Sequence, residues 1–435
     1  MFRAYDQAAG PRRPAIQPAR ERGYNVPVMA NRREPAGLVS RSTLPMLALA
    51  ALVCFLALAC GGGKEKEVRQ VVRMEPPLAS ELVTSAEFPV SLAFAPDGRL
   101  FYNEFTTGNV RIITASGQLL PQPFAHVDVA VSKWTELGLP SSPELWGLLG
   151  LAIDPDFEQN HYVYVYFMEP TLGNDEARPV VMRFTDQDNV GISPKAIVGD
   201  LEESRSELGF ANMGGGIHFG PDGYLYVSIG DRLEFTSEDL TVPTGKILRL
   251  RKENGAAAPD NPFLGEPEAD PRIFAYGLRN TIDFTFNPES GVIYGNESHT
   301  ERCHELNIIK AGQDYGWPAS RLNLTCGRPK ERPESIPGIY SYASPGRNPE
   351  DVYSYTTPTG IEFVTGDRYP RLRGSLLICE FVTKFMRRLE LSGDEQDEVV
   401  ADEVATEDCS LDIATSPDGV IYYSNETEIR RLVPE

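Results

Sequence analysis

Apolar and polar positions along most of the chain follow one recurring phrase: a short apolar strand, a turn built on Pro-Asp-Gly, and a second apolar strand rich in tyrosine. The phrase reads VSLAFAPDGRLFYNEF from Val90, LLGLAIDPDFEQNHYVYVYF from Leu148, GGIHFGPDGYLYVSIGD from Gly215 and DFTFNPESGVIYGNES from Asp283. Weaker copies start at Gly360 and Leu411. Proline presets φ at the first turn position and glycine takes the positive-φ position, so the tripeptide reverses a strand for a stated reason. The run Tyr224-Leu225-Tyr226-Val227 suits a strand buried between neighbouring sheets. Six such units predict an all-β fold, a six-bladed β-propeller of four-stranded antiparallel blades over residues 85–435. A pair of β-sandwiches would not explain why the same turn recurs. Closing the ring needs a strand from one terminus. The expected one is Val68–Met74 (VRQVVRM), within 61–84, pairing near Ile429–Val433.

Residues 1–60 read as an address. Leu44 to Cys60 is apolar except for Pro45, too short for a membrane span of about 20 residues. Arg32, Arg33 and Arg41 precede it. Ala59-Cys60-Gly61 resembles a bacterial lipoprotein cleavage box, which makes Cys60 the lipidated residue and the site of a membrane anchor. The expected location is extracytoplasmic, periplasmic or at the cell surface, or secreted if Cys60 is not lipidated. Residues 61–67 then form a flexible tether. Beyond the leader stand Cys303, Cys326, Cys379 and Cys409. An even number in an oxidising compartment predicts disulfides. The expected pairs are Cys303–Cys326 and Cys379–Cys409, each in neighbouring turns of the repeat. The net charge of −21 argues against nucleic acid, whose phosphates are met by Lys and Arg.

Several motifs, in order, resemble the soluble quinoprotein sugar dehydrogenases, the glucose/sorbosone dehydrogenase family. They are Gly147-Leu148-Leu149-Gly150 with Pro155-Asp156-Phe157, Gly215 to Asp231, Gly245 to Leu250, Tyr276-Gly277-Leu278-Arg279-Asn280, Glu305 to Ile309, and Tyr315-Gly316-Trp317-Pro318. The resemblance implies a six-bladed propeller with pyrroloquinoline quinone (PQQ) and Ca²⁺ at its axial mouth, oxidising a CH–OH group of an aldose or related sugar. It places Arg279 and Asn280 on the quinone.

The chain departs from that pattern at the chemistry. The family's basic histidine falls at Asn212, and an amide takes no proton at useful pH. A glutamine position holds Leu145, and two arginine positions hold Cys409 and Leu411. The Ca²⁺-binding backbone carbonyls fall at His299 and Thr300. His299 and His304 are either solvated loop residues or a replacement base or ligand, with His299 the candidate base. His218 reads as a packed strand residue. Three functions follow as expectations: an exported PQQ-dependent sugar dehydrogenase; a non-catalytic propeller binding a small molecule or glycan; or a Ca²⁺-dependent lactonase-like hydrolase using Asn212, Asn280 and Glu297.

Overall fold

The computed structural model describes residues 72–130, 147–171, 177–201, 212–232, 234–299, 304–318, 332–342 and 356–434. All belong to the compact unit Glu67–Glu435. The leader, Cys60, Leu145, Thr300, Cys303 and Cys326 lie outside the described residues.

Six sheets form the fold. The first blade holds Pro89–Phe94, Leu100–Glu104, Asn109–Ile113 and Ala125–His126. The second holds Leu148–Ile153, Tyr162–Pro170, Ala177–Gln187 and Val190–Val198. The third holds Ile217–Phe219, Leu225–Ile229, Lys246–Leu250 and Ile273–Tyr276. The fourth holds Thr281–Phe286, Ile293–Glu297, Glu305–Ile309 and Tyr340–Ser341. The fifth holds Pro358–Phe363, Ser375–Glu380, Phe385–Ser392 and Glu398–Glu407. The sixth holds Ile413–Thr415, Ile421–Ser424 and Glu428–Leu432, completed by Ser80–Ser85. Within each blade successive strands are antiparallel neighbours. The leading strand of each blade touches those of the blades on either side, and the sixth returns to the first. The fold is therefore the expected six-bladed ring.

The Pro-Asp-Gly turns behave as their chemistry dictates. Gly98, Gly223 and Gly419 have φ of 84°, 77° and 83°. Their N–H groups close turns onto the carbonyls of Ala95, Gly220 and Ser416 at 2.9, 2.9 and 2.8 Å. Leu100–Glu104, Leu225–Ile229 and Ile293–Glu297 are buried along their whole length, as strands covered on both faces must be.

The closing strand is not the expected one. Ser80–Ser85 pairs antiparallel with Glu428–Leu432. Val72–Arg73 instead lies parallel to Glu403–Val404 on the outer edge of the fifth blade. The reason is burial. Met74 and Leu78 insert into a core shared by the fifth and sixth blades. The outermost strand of the sixth blade needs mainly backbone partners, which the more polar sequence SELVTS supplies. A disulfide joins Cys379 to Cys409 with Cα atoms 5.0 Å apart, tying the fifth blade to the segment that leads into the sixth.

Candidate functional site

The site is built where chain segments enter the leading strands. Arg279 and Asn280 immediately precede Thr281–Phe286. Glu297, at the end of the adjacent strand, fixes their backbone. Its Oε1 accepts the N–H groups of Arg279 and Asn280, both at 2.7 Å, and its Oε2 accepts the Thr281 hydroxyl at 2.7 Å. Burial raises the Glu297 pKa against these bonds. Glu297 is thus occupied with backbone donors rather than aimed at a cation.

Arg279 donates from Nη1 to the Ser298 carbonyl at 2.6 Å and lies over the Trp317 ring, 5.5 Å from its centroid. Burial lowers its pKa, opposed by Asp231 and Glu297. Its buried Nε–H meets no acceptor among the described residues. The Asn280 side-chain oxygen accepts the Gly214 N–H at 2.9 Å, leaving its amide N–H groups to serve the axial cavity that the residue lines.

Asn212 sits in left-handed backbone (φ 61°) and is 2% exposed. Its amide nitrogen donates to Asp231 Oδ1 at 2.7 Å, and its carbonyl accepts the Arg232 N–H at 3.1 Å. The segment packs so closely on Gly230 that a β-carbon there would stand 1.8 Å from the Asn212 carbonyl oxygen. Asn212 therefore faces Asp231 and is not part of the cavity wall. The other Asp231 oxygen accepts the Trp317 indole N–H at 2.5 Å. The Tyr315-Gly316-Trp317-Pro318 turn, which the sequence marks as structural, is the hub joining Asp231, Arg279 and His299.

His299 meets Trp317 edge-on, with ring centroids 5.1 Å apart, and its backbone N–H donates to His304 Nδ1 at 3.1 Å. Both histidines are buried, at 8% and 3% exposure, so the solvated-loop alternative fails. Burial, then Arg279 and His304, push His299 down to about 3. Burial and Arg279 push His304 down to about 4. A group with so low a pKa is a weak proton acceptor near neutrality.

Inward of Asn280 a cavity of 370 Å³ runs along the axis. Every blade contributes a residue from its leading strand or from the segment entering it, including Val90, Leu149, Ile217, Ile282, Thr359 and Leu411. His218 is the expected packed strand residue, inside Ile217–Phe219 and edge-on to Phe284, and it also lines the cavity, with its Nε2 2.6 Å from Asp283 Oδ1. The two carry complementary side chains on neighbouring leading strands, a relation no spacing rule exposes before the ring is closed. Of the three oxygens expected for a lactonase, those of Asn280 and Glu297 already accept protein N–H and O–H donors, and the Asn212 amide is held by its nitrogen on Asp231. Among the described residues no group of three His, Cys, Asp or Glu is placed to hold a metal ion.

Comparisons with known proteins agree with this architecture. The family described as Glucose / Sorbosone dehydrogenase matches residues 86–433. The aldose sugar dehydrogenase YliI of Escherichia coli (strain K12) is 26% identical over 357 residues, covering 77% of this chain and 86% of that protein. A solved structure titled glucose dehydrogenase superposes with a TM-score of 0.68 at 28% identity, over 82% of this chain and 99% of that one. The PQQ-bound aldose sugar dehydrogenase of Streptomyces coelicolor, at 21% identity and a TM-score of 0.63 over 82% of this chain and 98% of that one, shares the fold.

Proposed function

The chain belongs to the glucose/sorbosone dehydrogenase family, and from that premise we propose that it oxidises a CH–OH group of an aldose or related sugar at the axial mouth, with PQQ as acceptor. The observation that carries this reading is Arg279, whose buried Nε–H meets no acceptor among the described residues, beside Asn280, whose side-chain oxygen is held by Gly214 and which lines the cavity. Together they suit one carbonyl- or carboxylate-bearing edge of a quinone. When bound, the quinone supplies a carbonyl that accepts hydride. The fit is partial. Among the described residues the cavity wall has no Lys or Arg for the remaining carboxylates, and Asn212 offers no base. Among the described residues Ca²⁺ finds no cage of three His, Cys, Asp or Glu side chains; backbone carbonyls at His299 and Thr300 are proposed for it.

A second reading has its own observation. The Asn212 amide is turned to Asp231, as in a scaffold that keeps its packing while binding a ligand without turning it over. Titration with PQQ and Ca²⁺, followed by absorbance and then addition of aldoses, separates the two. Sugar-dependent reduction of bound quinone, lost in Arg279→Ala, supports the dehydrogenase. Binding without reduction supports the ligand-binding propeller. No binding at micromolar quinone removes PQQ from the account. Export and anchoring through Cys60 are proposed from the leader alone, and Cys60→Ala should move the protein from the membrane fraction to the soluble one.

A further inference from the structure

The axial cavity inward of Asn280 carries charge of the wrong sign for a quinone with several carboxylates. Its walls are apolar, from Val90, Leu149, Ile217, Ile282 and Leu411, with Phe381 at the rim. Its ionisable lining consists of His218, Asp283 and Asp412. Each carboxylate is fixed by backbone donors. Asp412 accepts the N–H groups of Leu92 at 2.7 Å and Ile413 at 2.8 Å, and Asp283 accepts that of Ile361 at 3.1 Å. Those bonds stitch the sixth blade to the first and the fourth to the fifth. Stitching accounts for the two aspartates, but not for the space beside them or for the imidazole. The His218 side chain retains 37% exposure while sitting on an innermost strand among cavity-lining residues. Polar groups at the wall therefore have room before them.

The charges do not balance. His218 is paired with Asp283 at 2.6 Å, which leaves Asp412 without a cationic side chain in direct contact among the described residues. A carboxylate in an apolar cavity is costly unless a cation or a proton joins it. We propose that the axial cavity is a binding site for a small organic monocation, an ammonium on a compact apolar body, with the ammonium on Asp412 and Asp283 and the body against the aliphatic walls. A volume of 370 Å³ lies at the small end of ligand pockets. The site lies inward of the Arg279 group and shares Asn280 with the quinone reading, so ammonium binding is measured with no quinone present.

Burial and the neighbouring Asp283 raise the Asp412 pKa well above the ordinary range, and burial raises Glu362, which faces the same His218 and Asp283, to about 7. Both shifts favour the protonated carboxyl, so binding of an ammonium is expected to release a proton to solvent.

The test is calorimetric titration of the purified full chain with cyclohexylammonium, cyclohexanol and cyclohexanecarboxylate, in two buffers of different ionisation enthalpy. The ammonium should bind at least tenfold more tightly than either isostere, with proton release. Binding should weaken at least tenfold in Asp412→Asn, and also in Val90→Phe, which fills the wall without touching a hydrogen bond of Asp412. The ligand series on the unaltered chain stands even if a variant fails to fold. Equal affinity for the alcohol, preference for the carboxylate, no binding of the ammonium, or ammonium binding unchanged in a folded Val90→Phe would each overturn the proposal.

Discussion

At the scale of single residues, the mouth is governed by burial. His299 and His304 are held neutral in the folded chain, at about 3 and about 4, whereas the unfolded chain protonates them near 6.5. Both shifts are downward, so their contribution to stability is present above pH 6.5 and is lost as pH falls toward the folded values. His299→Phe keeps a ring edge against Trp317 and removes one of the two titrations. Urea midpoints across that pH window should fall less steeply in the variant, and parallel slopes would refute the assignment. Trp317→Phe removes the indole N–H from buried Asp231 while retaining an aromatic face under Arg279. It should cost about 1–3 kcal/mol in chemical denaturation. Arg279 and Asn280 were legible because their motif is continuous in sequence. The turning of Asn212 to Asp231 and the meeting of His218 with Asp283 were not, since each joins residues 19 and 65 positions apart.

Among elements, the blades were legible because each is largely a local meander, and three of the six carry the full Pro-Asp-Gly turn. The closing strand was not, because apolar alternation in Val68–Met74 looks more strand-like than SELVTS, yet the outer position rewards backbone pairing over apolar content. Two truncations separate the roles. A chain beginning at Leu78 loses the short parallel strand, the Met74 contact, the Arg73–Glu407 ion pair and the Pro76 carbonyl bonded by Arg371, and should melt several degrees lower with one transition. A chain beginning at Glu87 loses Ser80–Ser85 and should lose cooperative unfolding. If both melt alike, closure by this strand is not what stabilises the ring. The Cys379–Cys409 bridge closes a loop of sequence separation 30. Replacing both cysteines by alanine should cost roughly 3–4 kcal/mol from loop entropy in urea titration.

Across the whole molecule, the excess of acidic groups, 62 against 41 basic ones, sets a uniform repulsion that the fold must withstand. Raising salt from about 0.01 to 0.15 M shortens the Debye length from about 30 to 8 Å and should raise the melting temperature; no change would mean that local pairs already neutralise the surface. The ring also orders events during biogenesis. Ser80–Ser85 leaves the ribosome first, and its partner Glu428–Leu432 follows about 340 residues later. At about 5–20 residues per second, that strand waits tens of seconds with an open edge. A chain halted before residue 428 would carry every other strand of the ring and still leave Ser80–Ser85 unsealed, so synthesis through Glu428–Leu432 decides whether the ring can close at all.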